Sequence, residues 1–311
     1  MITTLTINPA LDLNLTVNEL FVDDSNRVIA VQKDPGGKGI NVSRILNKLG
    51  TKVTTITLLG GNTGNEVTEL LRKEQLVPFT IPIKNETRTN VTITNLNNFS
   101  QTRFNQAGPE LDRDEYASLL SLIEQLGDNA NIFVMSGSLL PSIKPTAYQE
   151  IINKLKLINP KIKIILDADD EAMKHGISAC PYMIKPNIHE AERILDRKLT
   201  SLADIKQALL DLYAKEIKLV IISRGKDGLV AYDGKKMLAI DPIPVEAKST
   251  IGAGDSLIAG ICYMLEKTED LQEILTFAVK VSTAKVTTTG TSVIGWEEIN
   301  AITAEPVIRV I

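Results

Sequence analysis

Short apolar runs at Val53–Leu59, 132–135, 162–166 and 219–222 constrain this chain more than any other feature. Each is largely apolar and rich in Ile or Val, as a strand covered on both faces must be. Helical spacing lies between them: Val67, Leu70 and Leu71; then Leu119, Leu120, Ile123 and Leu126; then Leu202, Ile205, Leu209 and Leu212. Strand, helix, strand repetition predicts an α/β fold, with a central, mostly parallel sheet carrying helices on both faces. With 43% of 311 residues apolar, one large core can span residues 1–311.

Two segments, 11–34 and 87–107, break the rhythm. In the first, Leu11, Leu13, Leu15 and Val17 alternate with Asp12, Asn14 and Thr16, the period of a strand with one buried face. A second such stretch, 27–33, follows Asp23-Asp24-Ser25-Asn26. In the other segment, 90–96 and 101–105 flank Asn97-Asn98, a hairpin signal. Together they predict a small β sheet inserted as a lid. Its Leu and Val face either pairs with a second subunit or turns inward. A further hairpin is expected where Asp233-Gly234 separates Leu229–Tyr232 from 236–240.

Charge and cysteine content narrow the partners. A net charge of -4 gives no support to a nucleic acid or anionic membrane partner. Cys180 and Cys262 stand alone, and His175 and His189 are the only histidines, which argues against structural zinc. No stretch of about 18 apolar residues occurs, and the first residues lack a basic-then-apolar leader. A cytoplasmic location is the expectation.

The chemistry is concentrated in glycine turns. Ser249-Thr250-Ile251-Gly252-Ala253-Gly254-Asp255-Ser256 precedes the helical run Leu257, Ile258, Ile261, Met264 and Leu265. Amides at a helix start lack internal partners and the dipole there is positive, so a phosphate can settle on them. A carboxylate beside that cradle suits removal of a proton from an attacking hydroxyl. A plain N-cap accounts for Gly and Asp equally well in isolation. Pro35-Gly36-Gly37-Lys38-Gly39-Ile40-Asn41 also opens a helix, but it is neither a dinucleotide fingerprint nor a Walker motif.

Both turns resemble the signatures of the ribokinase-like carbohydrate kinases, specifically the phosphofructokinase B family. The resemblance implies ATP-dependent phosphoryl transfer, with Asp255 as base and the amides of Gly252, Ala253 and Gly254 as anion hole. It implies that Gly37 and Asn41 meet the sugar, as does Asp12 in Asn8-Pro9-Ala10-Leu11-Asp12. Ser136-Gly137-Ser138 resembles the family's SGS turn and implies Ser138 near the sugar. Lys185-Pro186-Asn187-Ile188-His189-Glu190 resembles KPNxxE, which implies Lys185 and Asn187 at the nucleotide and Glu190 at Mg²⁺ through water; Asn187 and Glu190 also have the spacing of a capping pair. Ser223-Arg224-Gly225-Lys226-Asp227-Gly228 resembles the nucleotide turn SxGxxG, which gives Ser223, Gly225 and Gly228. Thr288 replaces the Asn of a loop linked to monovalent cations, leaving open a K⁺ site made from the 249–251 backbone and residues near 285–290.

The acceptor's phosphate needs positive charge, for which Lys38, Arg88 and Arg103 are the candidates. Gln101-Thr102-Arg103-Phe104 resembles the 6-phosphofructokinase group. Gly36-Gly37-Lys38-Gly39 and Asn26-Arg27-Val28 resemble the fructose-1-phosphate and tagatose-6-phosphate kinases. The sequence expectation is fructose 6-phosphate converted to fructose 1,6-bisphosphate, with the other two ketohexose phosphates as alternatives. Partners are then ATP, a phosphorylated ketohexose and a second subunit through the lid. A non-catalytic sugar-phosphate sensor is the reading from another class.

Overall fold

The structure, a computed structural model, describes residues 1–98, 100–288 and 290–311. The tip of the hairpin expected at Asn97-Asn98 includes Phe99, and the expected K⁺ loop includes Thr289; both lie outside the described residues. The strands are β1 (Ile2–Thr6), β2 (Ala10–Val17), β3 (Val28–Gly36), β4 (Val53–Leu59), β5 (Phe79–Pro82), β6 (Arg88–Asn95) and β7 (Gln101–Phe104), followed by β8 (Ile132–Ser136), β9 (Lys163–Asp167), β10 (Met183–Ile184), β11 (Leu219–Ser223), β12 (Leu229–Tyr232), β13 (Met237–Ile240) and β14 (Ile308–Val310). The helices are α1 (Lys38–Lys48), α2 (Gly61–Lys73), α3 (Arg113–Gly127), α4 (Ala147–Ile158), α5 (Asp170–Ile177), α6 (Ile188–Leu195), α7 (Leu202–Tyr213), α8 (Ala253–Leu265), α9 (Leu271–Val286) and α10 (Trp296–Ala301).

Ten strands form the main sheet in the order β14-β13-β12-β11-β10-β9-β8-β1-β4-β5. From β5 to β11 in that order the strands run parallel, and β12 to β14 are antiparallel. The expected parallel sheet and the 229–240 hairpin are both present. Successive residues of the buried strands serve opposite layers. Phe133, Met135, Ile164 and Leu166 join the core under α3–α7. Ile132, Val134 and Ile165 join the core under α1, α8 and α9. A strand buried on both faces has no polar alternation to show, which explains the continuous apolar runs.

After β1 the chain feeds β4 on one side and later β8 on the other. Such a reversal opens a crevice at the carboxyl ends of the strands. Asn8, just past β1, spans it: its amide donates to Ser138 Oγ at 3.2 Å and to the carbonyls of Ala107 and Leu139.

The second sheet has the order β3-β2-β6-β7, so the strands of segments 11–34 and 87–107 do pair with each other. Its register produces one polar row, Gln32-Asn14-Thr92-Arg103, and one largely apolar row, Leu13-Val91-Phe104, with Lys33 at its end. The polar side faces the main sheet, where Asn14 donates to Thr291 Oγ1 at 3.0 Å and Thr291 donates to Asp34 at 2.6 Å. The apolar side faces out, with Val31 59% and Phe104 57% exposed. No described helix is long and apolar enough to cross a membrane.

Candidate active site

Helix α8 begins on Gly252, whose φ of 75° is left-handed, and no side chain caps it. A non-glycine residue there would be strained, so the turn belongs to Gly. The first amides have no partner within the helix and carry the positive end of its dipole. Gly254 is exposed, whereas Asp255, one position on, is only 7% exposed. The carboxylate is thus nearly buried directly beside an exposed glycine turn at the start of α8.

Burial pushes the Asp255 carboxyl up to about 6. Asn41 opposes this by donating to Oδ2 at 2.8 Å, Asp167 adds to it, and Lys38 and Lys185 oppose it. Asp167 ends β9 and is buried. It accepts from Lys185 Nζ at 3.2 Å and Ser136 Oγ at 3.3 Å, and Lys38 Nζ lies 3.7 Å away. Lys38 also donates to Asp169 at 3.0 Å. Burial disfavours the charged form of Lys38, but Asp167, Asp169 and Asp255 outweigh it and hold its pKa above the ordinary value. Asp167 itself is disfavoured as an anion by burial, yet Lys185 and Lys38 hold its pKa below the usual range. Two ammonium groups thus share one buried carboxylate next to the glycine turn of α8. A Cβ added to Gly254 would lie 3.5 Å from Lys185 Nζ.

Asp12, on β2, accepts from Asn90 of β6 at 2.9 Å. Burial raises its pKa, against the opposing pull of Asn90 and Arg88. Gly37 is the N-cap of α1, directly before Lys38. Arg88, expected at the acceptor's phosphate, donates its guanidinium to the carbonyls of Asn8, Pro9 and Gln106 at 2.8–3.3 Å. It ties the start of β6 to the segment after β1. Arg103 is exposed on the polar side of the small sheet, with a contact of 3.3 Å to Gln101.

At the other end of the crevice, Asn187 and Glu190 bond reciprocally at the start of α6: Asn187 N donates to Glu190 Oε2 at 2.8 Å and Glu190 N to Asn187 Oδ1 at 2.9 Å. The capping pair is therefore realised, and it is compatible with the expected nucleotide and Mg²⁺ roles of the same two residues. Ser223 N donates to Pro186 O at 3.0 Å and aligns the two turns. A cleft of about 520 Å³ lies there, lined by Asn187, His189, Leu202, Ser223, Arg224 and Gly225. Gly228 is required for a different reason, because a Cβ there would meet Ile240 O at 2.0 Å. Arg224 folds over its own turn onto the carbonyl of Asp227. Among the described residues no three His, Cys, Asp or Glu side chains converge on a metal position. A magnesium ion carried by nucleotide phosphates would meet single carboxylates such as Glu190 through water, as this hard, reluctantly dehydrated cation commonly does.

Sequence reasoning assigned no role to Asp167, Asn8, Asn90 or Arg44. Only Asp167 had a local signal, a carboxylate closing a buried parallel strand at the ligand edge.

Residues 6–298 match the pfkB family carbohydrate kinase. The 1-phosphofructokinase of Borreliella burgdorferi is 33% identical over 285 residues, which cover 91% of this chain and 91% of that protein. The 1-phosphofructokinase of Vibrio cholerae is 30% identical over 301 residues, covering 97% and 94%. Among solved structures, Escherichia coli phosphofructokinase-2 in complex with potassium has a TM-score of 0.91 at 29% identity, with 97% of each chain covered. The same protein has been solved with fructose-6-phosphate.

Proposed function

Because this chain belongs to the pfkB family of carbohydrate kinases, and so is an ATP-dependent kinase, we propose that it converts fructose 1-phosphate to fructose 1,6-bisphosphate. One observation carries the choice of acceptor: the two relatives named above, matched over at least 91% of this chain, are both called 1-phosphofructokinase. The sequence expectation had put fructose 6-phosphate first, and the relatives reverse that order. Fructose 6-phosphate is kept as the second reading because Arg103 stands exposed on the polar lid face.

In this reading Asp255 takes the proton of the acceptor hydroxyl as its oxygen attacks the γ-phosphoryl of ATP in line. The amides of residues 252–254, with Lys185 beneath them, hold the developing charge. Asn41 aims the Asp255 carboxylate. Asp12, Asn90 and Ser138 supply hydrogen-bonding groups for the sugar, and the small sheet closes over it to exclude water. Magnesium, when bound with the nucleotide, neutralises phosphate charge.

A coupled assay of ADP release with fructose 1-phosphate, fructose 6-phosphate and tagatose 6-phosphate tests the acceptor. The largest kcat/KM is expected for fructose 1-phosphate. A larger value for either competitor replaces it, and no ADP release with any of the three removes the kinase reading. The outward apolar face of the small sheet supports a homodimer through the lid. Val31→Lys should then yield monomers by light scattering, and an unchanged mass would eliminate that interface.

A further inference from the structure

Lys285 lies in the last turn of α9 and is only 3% exposed. Its ammonium donates to the carbonyl of Gly290 at 2.8 Å and to Thr288 Oγ1 at 3.1 Å. Its stem runs alongside the turn at Gly252, where an added Cβ would come within 3.2 Å of Lys285 Cε. The segment before that turn is attached to the same place: Lys248 N and Ser249 N both donate to Val286 O. The 249–251 backbone and the end of α9 therefore converge, as a potassium site made from them requires.

Charge, rather than size, disfavours a free ion in the space between them. The adjoining cavity is about 10 Å³, lined by Asn41, Arg44, Gly252, Lys285 and Thr291 among others. That is about one water, which a bare potassium ion matches in size, so the surrounding charge decides. Two cationic side chains already flank it, and Lys285 has taken the Gly290 carbonyl. A third positive charge would meet repulsion from both at low local dielectric.

We propose that the Lys285 ammonium is a tethered substitute for a monovalent cation: it holds Thr288 and Gly290 beside Gly252 and so positions the phosphate turn of α8. An ammonium group has the charge of potassium and, like it, is satisfied by carbonyl and hydroxyl oxygens. Tethering on α9 removes the need to recruit an ion from solution. The charged groups around it are Arg44, Asp34 and Asp255; burial and Arg44 lower its pKa to about 8, which leaves it mostly charged at neutral pH. Arg44 belongs to the same assembly, donating to Thr291 O at 3.2 Å and forming ion pairs with Asp34 and Glu74. Lid strand β3 is thus linked to the phosphate turn through Arg44, Thr291 and Lys285. Lys285 is a positioning residue, since it does not reach the reacting atoms.

The inference rests on the kinase reading, and wild-type turnover checks that reading separately. Wild-type kcat should be the same in potassium and in tetramethylammonium chloride at equal ionic strength. Lys285→Ala should lower kcat by roughly 10–100-fold, the scale on which small misplacements of a site act, with a smaller change in KM. Potassium or a small alkylammonium should restore much of it, and tetramethylammonium should not. Thermal melting gives a readout free of substrate: potassium should raise the Tm of Lys285→Ala or Lys285→Met selectively and leave the wild type unmoved. Saturable potassium activation of the wild type would overturn the proposal. So would full turnover of Lys285→Met without potassium, or a variant that neither potassium nor alkylammonium rescues in rate or Tm.

Discussion

Helices α6 and α8 both start at the crevice, yet their first turns are finished in opposite ways. At α6, Asn187 and Glu190 close a reciprocal cap, so the helix satisfies its own amides. At α8, Gly252 supplies no side-chain cap, and Ala253 N has only the carbonyl of Thr250 at 3.4 Å. The sequences KPNIHE and GAGDS are both helix starts, but one is stabilised from within and the other from outside. Side-chain caps contribute to stability whether or not a ligand is present. An open turn contributes to function and leaves a buried, partly neutral carboxylate beside it.

Substitutions at the two starts should separate accordingly. The largest effect belongs to Asp255→Asn, which should cut kcat by roughly 10²–10⁴, the worth of a general base, while substrate KM changes little. Near-normal turnover would refute the assignment. The same variant should melt at a higher temperature than the wild type above pH 6. Asp255 has a folded pKa raised from 3.8 to about 6, so its protonated form favours the folded state. That contribution is complete below the unfolded pKa and is lost as pH rises through about 6. An amide does not titrate and escapes the loss.

Next in size is Gly252→Ala, which forces a left-handed φ on a residue with a Cβ at a cost of roughly 1–2 kcal/mol. Turnover should fall by about tenfold if that strain is relieved by displacing the cradle. If kcat stays unchanged, the open turn is not the phosphate site. Asn187→Ala should show the reverse balance. Losing the cap should cost about 1 kcal/mol in denaturant unfolding, with kcat close to wild type. A collapse of kcat there would mean that α6 acts directly in the chemistry.

The smallest expected effect concerns pH. Wild-type kcat/KM should rise with pH through an apparent pKa of about 6, because the base must be ionised. Asn41 donates to the ionised carboxylate and lowers that value, so Asn41→Leu should move the acid limb to higher pH. A limb that does not move would dissociate Asn41 from the base.

Much of this was readable along the chain. The apolar runs of β8, β9 and β11 announced a sheet buried on both faces, and the alternation at 11–17 announced a strand with two different sides. The Gly-Ala-Gly-Asp turn marked both its helix and its carboxylate. These signals are local: each depends on the period of one element or on the backbone demands of one turn. The side of the small sheet that faces outward was not readable, because alternation gives two faces without saying which one meets the protein. Register against β3 and β6 and the contact of Asn14 with Thr291 decided it.

The sequence by itself determined the layered α/β architecture, the glycine turns and the family they signify, since those follow from periodicity and from residue types at short spacing. Tertiary structure alone decided what the long side chains do. It bonded Asn41 to Asp255 across 214 positions, placed Arg88 on backbone carbonyls, made Asp167 the partner of two lysines, and put the Lys285 ammonium under the phosphate turn. A charged side chain carries several donors or acceptors and a flexible stem, and its partner is chosen by which elements pack beside it and by the cost of leaving it unpaired there.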